Sequence, residues 1–321
     1  MTGQILQRLP GMAMKARRAI ARRSLVHRDA VVGYLLLLPL LGGLLLFRVY
    51  GFGYNIWLSF MNAGAFGAPK FAGLDNYQKL LGDTQLRVAI ANTFKFAGIA
   101  VPGVILVSLA LATLMQHRFR GQSAFRAIVF LPAVCLPTAA ILVFGWMFQT
   151  QYGLVNSALQ AIGAAPVSWF GSAAGVTVVV SLLVIYLSFS VPTIILYAGM
   201  QEISPNLYEA ATLDGAGPAR QFLSITLPLL TPSLFFVIIT TTIGALKLFD
   251  VVYVLLPPVD HSVSLNYGFT LVYYYFYLAF LETGQRGYAA AVSLVLLVII
   301  LAVSIVLMRL QRRFVHYGEH G

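Results

Sequence analysis

Long apolar runs separated by short polar patches set the pattern of this chain. Residues 127–201 contain no Asp, Glu, Lys or Arg, and 96–116, 221–246 and 287–308 are also free of them. A helix rises about 1.5 Å per residue, so about 20 apolar residues cross a hydrocarbon core about 30 Å thick. The pattern predicts six such helices, over about 31–52, 89–115, 124–149, 175–199, 229–256 and 287–308. The basic residues Arg17, Arg18, Arg22, Arg23 and Arg28 before the first run look like a secretory leader. That run, however, extends from Val31 to about Phe60 and is interrupted only by Arg48, too long for a leader's apolar core. It is therefore expected to stay in place as the first span.

The polar patches orient the spans. Seven Lys or Arg lie in 1–29, three in 116–126, one in 200–227 and three in 309–321, against four in 53–87, 150–174 and 257–286 together. Positive charge stays on the cytoplasmic side, so both termini are expected there and the number of spans is even. Parity then decides residues 267–280 (YGFTLVYYYFYLAF), which are apolar enough to be a further span. They number only 14, and eight of them are aromatic. That composition suits the membrane–water boundary, and the segment is expected as an external interfacial helix. Pro39, Pro102, Pro132, Pro137 and Pro192 fall inside expected spans, where each removes a backbone donor and favours a kink.

Composition agrees with the pattern. Hydrophobic residues make up 59% of 321 and charged residues 10%, with a mean hydropathy of +0.84. A soluble domain has about a quarter of its residues charged, so lipid is expected to cover much of this surface. The net charge of +11 is confined to loops between apolar stretches, which suits membrane topology and not a groove tracking phosphates. The lone cysteine, Cys135, excludes an internal disulfide and a multi-cysteine zinc site, and is expected to be a small buried hydrophobe.

The loop between spans four and five, 200–228, holds the most informative local signal. Ser204 is a good helix N-cap, Pro205 fits the first helical position and Gly215 fits the stop, and Pro218 then opens a second helix that ends near Pro228. On the first helix Leu207, Ala210 and Ala211 share a face by helical spacing, with Glu209 and Asp214 elsewhere around it. Pattern alone is equally compatible with a helix lying on the bilayer and with one docked against another protein.

Glu209-Ala210-Ala211, Gly215, Ile225 and Leu227-Pro228 match the spacing EAA-x-x-x-G-x9-I-x-L-P, which resembles the loop of binding-protein-dependent ABC importer permeases. That resemblance implies that the loop inserts into a cleft of a separate ATP-hydrolysing subunit. Glu209 would then pair with a basic residue there, the alanines would permit close approach, and Gly215 would turn the chain. Lys70-Phe71-Ala72-Gly73-Leu74-Asp75-Asn76-Tyr77, Leu80-Leu81 and Asn92-Thr93 resemble the carbohydrate branch, the maltose- and glycerol-phosphate-type permeases. So do Arg126, Leu131-Pro132, Pro137, Trp146, Phe148, Gly153 and Asn156. One departure stands out: Leu255-Leu256-Pro257-Pro258 occupies the place of the family's usual Thr-x-Gly-Gly-Pro.

The resemblance implies a type I importer fold and a transport subunit, not an enzyme, in a bacterial cytoplasmic membrane. It also implies a carbohydrate-like solute, an ATPase pair, a second permease and an external solute-binding protein as partners. The expected layout is a basic cytoplasmic segment 1–30, a permease domain 31–310 and a cytoplasmic tail 311–321. None of the five lysines is followed by Ser or Thr, so none can be a P-loop lysine, and no catalytic motif is present. No cofactor is expected on this chain, ATP–Mg belonging to the ATPase. The alternatives are a secondary transporter, which would show repeats and ion-coupling residues at broken helices, and a membrane anchor without transport.

Four ionisable residues lie within expected spans. Arg48 and Lys95 are near span ends and are expected to snorkel. Lys247 and Asp250 are three apart on the expected fifth span, within salt-bridge reach of each other on one helix face, with Tyr253 one turn further. Charge at this depth is costly unless it faces a partner or a watery path. These three are candidate solute-path residues, the other reading for Lys247 and Asp250 being a structural ion pair.

Overall fold

A computed structural model describes residues 32–116, 120–256, 264–281 and 284–314. The basic segment 1–30, Pro257-Pro258 and the tail beyond residue 314 lie outside the described residues. The chain divides into two compact units at Leu58–Ser59. The first described helix, Val32–Ser59, is 28 residues long with its apolar side chains exposed, as lipid contact requires.

From Ser59 onward, two helices are long and apolar enough to cross a membrane unbroken, Thr84–Gln116 and Arg286–Arg313. The other three expected spans are helix pairs bent at short breaks, which with the first helix gives up to six spans by length and composition. The second span is organised by a stripe of small and apolar residues at three- and four-residue spacing: Ala89, Thr93, Phe96, Ala100, Val104, Ser108, Ala112 and Met115 are all buried. The fourth span packs along it as Ala173–Ser188 and Ser190–Gln201, bent by 48°. At the bend the Phe189 carbonyl keeps its helical bond from the Thr193 N–H at 3.0 Å and also accepts from Ser108 Oγ at 3.0 Å and Thr193 Oγ1 at 2.8 Å, which ties the second span to the bend.

The third expected span is folded more sharply than a kink. Gln122–Val134 and Pro137–Met147 meet at 97°. The residue before a proline is pushed out of helical geometry, and both Cys135 and Leu136 are extended ahead of Pro137. This corner also corrects the expectation for Cys135, which is exposed on it and not buried.

The fifth expected span, 229–256, is not continuous. Pro218–Leu229 meets Thr231–Leu246 at 69°. The helix stops at Leu246, and a short helix, Asp250–Leu255, follows a three-residue break.

At the outer end the chain departs from all-helical expectation in one small feature. Met61–Asn62 and Lys70–Phe71 form an antiparallel pair, in register Met61 with Phe71 and Asn62 with Lys70. The helix Asp75–Gly82 follows, clamped by its own motif residues. Asn76 Nδ2 donates to the Ser59 and Met61 carbonyls at 2.8 and 2.9 Å, and the Tyr77 hydroxyl lies 2.6 Å from Ser59 Oγ.

Residues 267–280 do not lie on the surface as an interfacial helix would: one face is buried in the bundle, while Phe280 near the far end is 63% exposed. Leu271–Leu281 is a short apolar helix whose Leu271 and Tyr273 are fully buried, with Phe269, Tyr274 and Leu278 nearly so. It packs on the second and sixth spans within the largest apolar cluster. Burial of so many tyrosines is possible because partners reach their hydroxyls: Tyr273 donates to the Leu256 carbonyl at 3.0 Å and Tyr274 to Asp83 Oδ2 at 2.5 Å.

Candidate functional site

The helix Pro205–Leu213 starts where the sequence expects, with Ser204 at the N-cap position, its side chain making no capping bond, and Pro205 in the first turn. It ends where Gly215 adopts φ +76°, a left-handed conformation strained for any side chain. The Gly215 and Ala216 N–H groups donate to the Thr212 and Ala211 carbonyls at 3.0 and 2.8 Å, which closes the helix end. Gly217 and Pro218 then open the second helix, which runs on through Thr226 to Leu229.

Two residues that sequence reading passed over hold the first helix to the second. The Tyr208 hydroxyl lies 2.9 Å from Thr226 Oγ1, and Gln221 Nε2 donates to Thr212 Oγ1 at 2.9 Å and to the Ala216 carbonyl at 3.0 Å. Tyr208 and Thr212 are four apart, so both face the second helix, with Thr212 still exposed, and helical spacing is the signal for the pair. With that face committed, Glu209, Ala210 and Leu213 project outward. Leu213 is 90% exposed, and Glu209, Ala210, Asp214 and Gly215 are also exposed, with Ala211 half-buried at the flank. The helix thus presents an exposed leucine beside a carboxylate and a small residue, and is braced from behind.

The candidate solute-path residues do not meet as expected. Lys247 and Phe249 have non-helical backbones, so Lys247 and Asp250 flank the break and do not share a helix face. Both are exposed, and no ion pair joins them. Tyr253 is half-buried among rings, 5.2 Å from Phe249, 5.7 Å from Tyr273 and 5.2 Å from Phe276 between centroids. A helix-periodic reading of 229–256 missed the break because no proline or glycine marks residues 247–249.

Lys95 also departs from expectation. Its ammonium does not snorkel outward but donates to Asn92 Oδ1 at 2.9 Å and to the Tyr267 carbonyl at 3.2 Å. Asn92 in turn donates to the Asn266 and Phe269 carbonyls at 2.9 and 3.1 Å, and Thr93 Oγ1 accepts from the Leu271 N–H at 2.9 Å. The Asn92-Thr93 pair thus fastens the buried aromatic segment to the second span.

A cavity of about 330 Å³ lies between spans two, four and five, beside both helix breaks. Its lining is mainly Ala, Val and Leu, with hydroxyls from Ser188, Thr240 and Thr241. Outside, Asn156 is 98% buried in its loop. Its amide donates to the Thr150 and Val167 carbonyls and accepts from Val167 N and Trp169 Nε1, all within 3.1 Å. Gly153 is needed there, because a Cβ would sit 2.3 Å from the Gln149 carbonyl oxygen. Arg126 stacks on Tyr197 at 5.1 Å and donates to its hydroxyl at 2.5 Å, tying the third span to the fourth. Of the residues that resemble the carbohydrate branch, Asn76, Tyr77, Asn92, Thr93, Arg126 and Asn156 are therefore clamps of the fold. Among the described residues no group of His, Cys, Asp and Glu could hold a metal.

Comparison with known proteins finds the same region. The family described as "Binding-protein-dependent transport system inner membrane component" matches residues 104–316. The chain is 31% identical to the trehalose/maltose transport system permease protein of Thermococcus litoralis, over 90% of this chain and 96% of that one. It is 32% identical to the sulfoquinovosyl glycerol transport system permease protein of Agrobacterium fabrum, over 88% and 91%, respectively. It is 30% identical to the sn-glycerol-3-phosphate transport system permease protein of Escherichia coli, over 91% and 98%. In fold it is similar to a chain of a bacterial ABC transporter involved in import of the acidic polysaccharide alginate, with TM-score 0.78 and 22% identity over 92% of this chain and all of that one.

Proposed function

Because the chain belongs to the binding-protein-dependent transport system inner membrane components, we propose that it is the permease subunit of an ABC importer for a carbohydrate-like solute. The observation that carries this reading is the braced, outward-facing helix Pro205–Leu213 with its left-handed stop at Gly215. An ATP-hydrolysing subunit receives that helix, with Glu209, Ala210, Ala211, Asp214 and Gly215 at the contact. ATP–Mg stays on that subunit, and closure of the ATPase pair moves the helix and changes which side of the membrane the path opens to. A second permease completes the pathway, and an external binding protein delivers the solute.

The carbohydrate class is supported by relatives named for trehalose and maltose, sulfoquinovosyl glycerol and glycerol 3-phosphate. Lys247, Asp250 and Tyr253 stand at the fifth-span break, where two exposed charges within an apolar bundle call for water, a partner or solute nearby. The solute passes along this break.

Reconstitution tests the reading. The chain, a second permease, the ATPases and the binding protein are placed in liposomes, and uptake of maltose, trehalose, lactose and glycerol 3-phosphate is followed. Accumulation of at least one solute that needs internal ATP and survives an ionophore is expected. Accumulation without the ATPase that an ionophore abolishes would identify a secondary transporter instead.

A further inference from the structure

A second cavity lies at the outer ends of spans two and six, well removed in sequence from the coupling loop. It encloses about 790 Å³, within the range of about 300–1,000 Å³ usual for small-molecule sites. Three segments far apart in sequence build it: 78–85, 266–278 and 285–288. Its wall is aromatic. Phe269 and Tyr277 meet edge to face at 5.6 Å and line it beside the Tyr274 and Tyr288 rings. Its rim is amide, with Gln78, Gln85 and Asn266 exposed and their side chains making no hydrogen bond to another described residue.

The charges inside this cavity are already engaged. Asp83 accepts from the Tyr274 and Tyr288 hydroxyls through Oδ2, and from the Leu86 N–H through Oδ1 at 3.1 Å. Lys79 donates to Gln285 Oε1 at 2.7 Å and sits 4.3 Å above the Tyr288 ring. One cation and one carboxylate offset each other, and each is held by neighbours. The groups left to a ligand are planar amides above an aromatic wall. A sugar ring has apolar C–H faces that pack on aromatics and equatorial hydroxyls that both donate and accept, as an amide does. A phosphate or uronate would meet the Asp83 carboxylate lining the same cavity, with Lys79, which already spends one of its three donors on Gln285, as the facing cation.

We infer that this outer cavity is a subsite for a neutral, hydroxyl-rich solute, a saccharide or polyol, which it holds between delivery and passage. The inference rests on the import reading above and narrows its solute class. Asn266 and Gln85 supply hydrogen bonds, and Phe269 and Tyr277 supply the packing face. Asp83 is a positioning residue that fixes Tyr274 and Tyr288 behind them.

The test uses the assembled importer in lipid nanodiscs without the binding protein. This chain carries Cys135→Ala and, on the cavity lining, Thr84→Cys, and the partner subunits are free of cysteine. The rate of maleimide labelling at position 84 is measured with maltose, trehalose, lactose or glycerol 3-phosphate, and liposome uptake of the same four is run on the same preparation. The neutral sugar that is accumulated, at about ten times its Kd, is expected to slow labelling about tenfold, and glycerol 3-phosphate to leave it unchanged. Adding Asn266→Ala is expected to raise Kd about fivefold, as loss of one hydrogen bond would, so that the same sugar concentration slows labelling only about threefold, with binding of the external receptor unaltered. Full-rate labelling in the presence of an accumulated sugar overturns the subsite and leaves the import reading standing. Protection by glycerol 3-phosphate alone overturns the neutral class. Protection that appears only when the receptor is added makes this a protein-docking face and also overturns the subsite. Failure to accumulate any of the four sinks the import reading itself.

Discussion

Two short helices flank the fifth span at opposite ends of the bundle, and they illustrate opposite uses of a loop. Pro205–Leu213 is exposed along its outer face and held to its neighbour by hydrogen bonds from Tyr208, Thr212 and Gln221. Leu271–Leu281 is buried, tied to Thr93, Leu248 and Leu256 and packed in the main apolar cluster. The first leaves side chains free on its outer face at little cost to the fold. The second is part of the fold. Mutations should divide accordingly: changes on the inner helix alter transport without loss of stability, and changes on the outer one unfold the outer half.

The sharpest way to break this contrast is at Tyr273. It is fully buried within an aromatic cluster, and Tyr273→Ala is expected to destabilise by about 3–5 kcal/mol, the usual range for a large aromatic cut back in a core. Thermal unfolding of the purified chain in detergent or nanodiscs measures this, and a melting temperature within a degree or two of the parent would show the segment to be peripheral. Asn156→Ala comes next. It removes an acceptor from Val167 N and Trp169 Nε1 and a donor from two carbonyls; these bonds are part-buried, so water replaces some of them, and the change is expected to cost about 1–3 kcal/mol in all. Limited proteolysis of residues 150–169 should speed up while ATPase co-purification holds.

A pH experiment sharpens the outer side further. Burial, the largest single influence on Asp83, pushes its carboxyl up, but hydrogen bonds from Tyr274, Tyr288 and the Leu86 and Gln85 backbone together outweigh it and hold the pKa below the ordinary 3.8. A folded pKa below the unfolded one favours the folded carboxylate. The stabilisation is complete above the ordinary value and is lost as pH falls through the lowered one. Thermal stability should therefore drop on acidification below about pH 4, and Asp83→Asn should flatten part of that drop. An unchanged acid profile in Asp83→Asn would remove the carboxylate from the clamp. The smallest effect belongs to the inner helix: Tyr208→Phe loses one half-exposed hydrogen bond and is expected to cost about 1 kcal/mol or less. Its stability should barely change, and hydrogen exchange at Glu209–Gly215 should rise.

The same comparison explains what the sequence could and could not disclose. Ser204, Pro205 and Gly215 act through their own backbone geometry, so the inner helix and its ends were legible from local residue types. Pro132, Pro137 and Pro192 likewise foretold breaks in spans three and four, although not the 97° corner at Cys135 and Leu136, whereas Pro102 sits inside a helix that runs unbroken from Thr84 to Gln116. Residues 267–280 misled because tyrosine is suited both to an interface and to a core that offers its hydroxyl a partner. Asp83, nearly two hundred residues from Tyr274, is such a partner, and no local pattern announces it. Lys95 misled in the same way, since its acceptors come from Asn92 and the distant Tyr267 carbonyl. Lys247 and Asp250 failed for another reason: their expected pairing assumed helical spacing across a segment where the helix stops.

The central claim is that the exposed face of Pro205–Leu213 couples this chain to a separate ATPase, and Glu209→Lys tests it most directly. Glu209 is exposed, so charge reversal leaves folding and membrane insertion intact. Its effect should fall on the contact, where it sets like charges against each other. ATPase co-purification with the tagged chain and solute uptake in the same cells are the paired readouts. The account predicts that both fall sharply while the amount of chain in the membrane and its melting temperature stay at parent values. Parent-level co-purification and uptake in Glu209→Lys would contradict it.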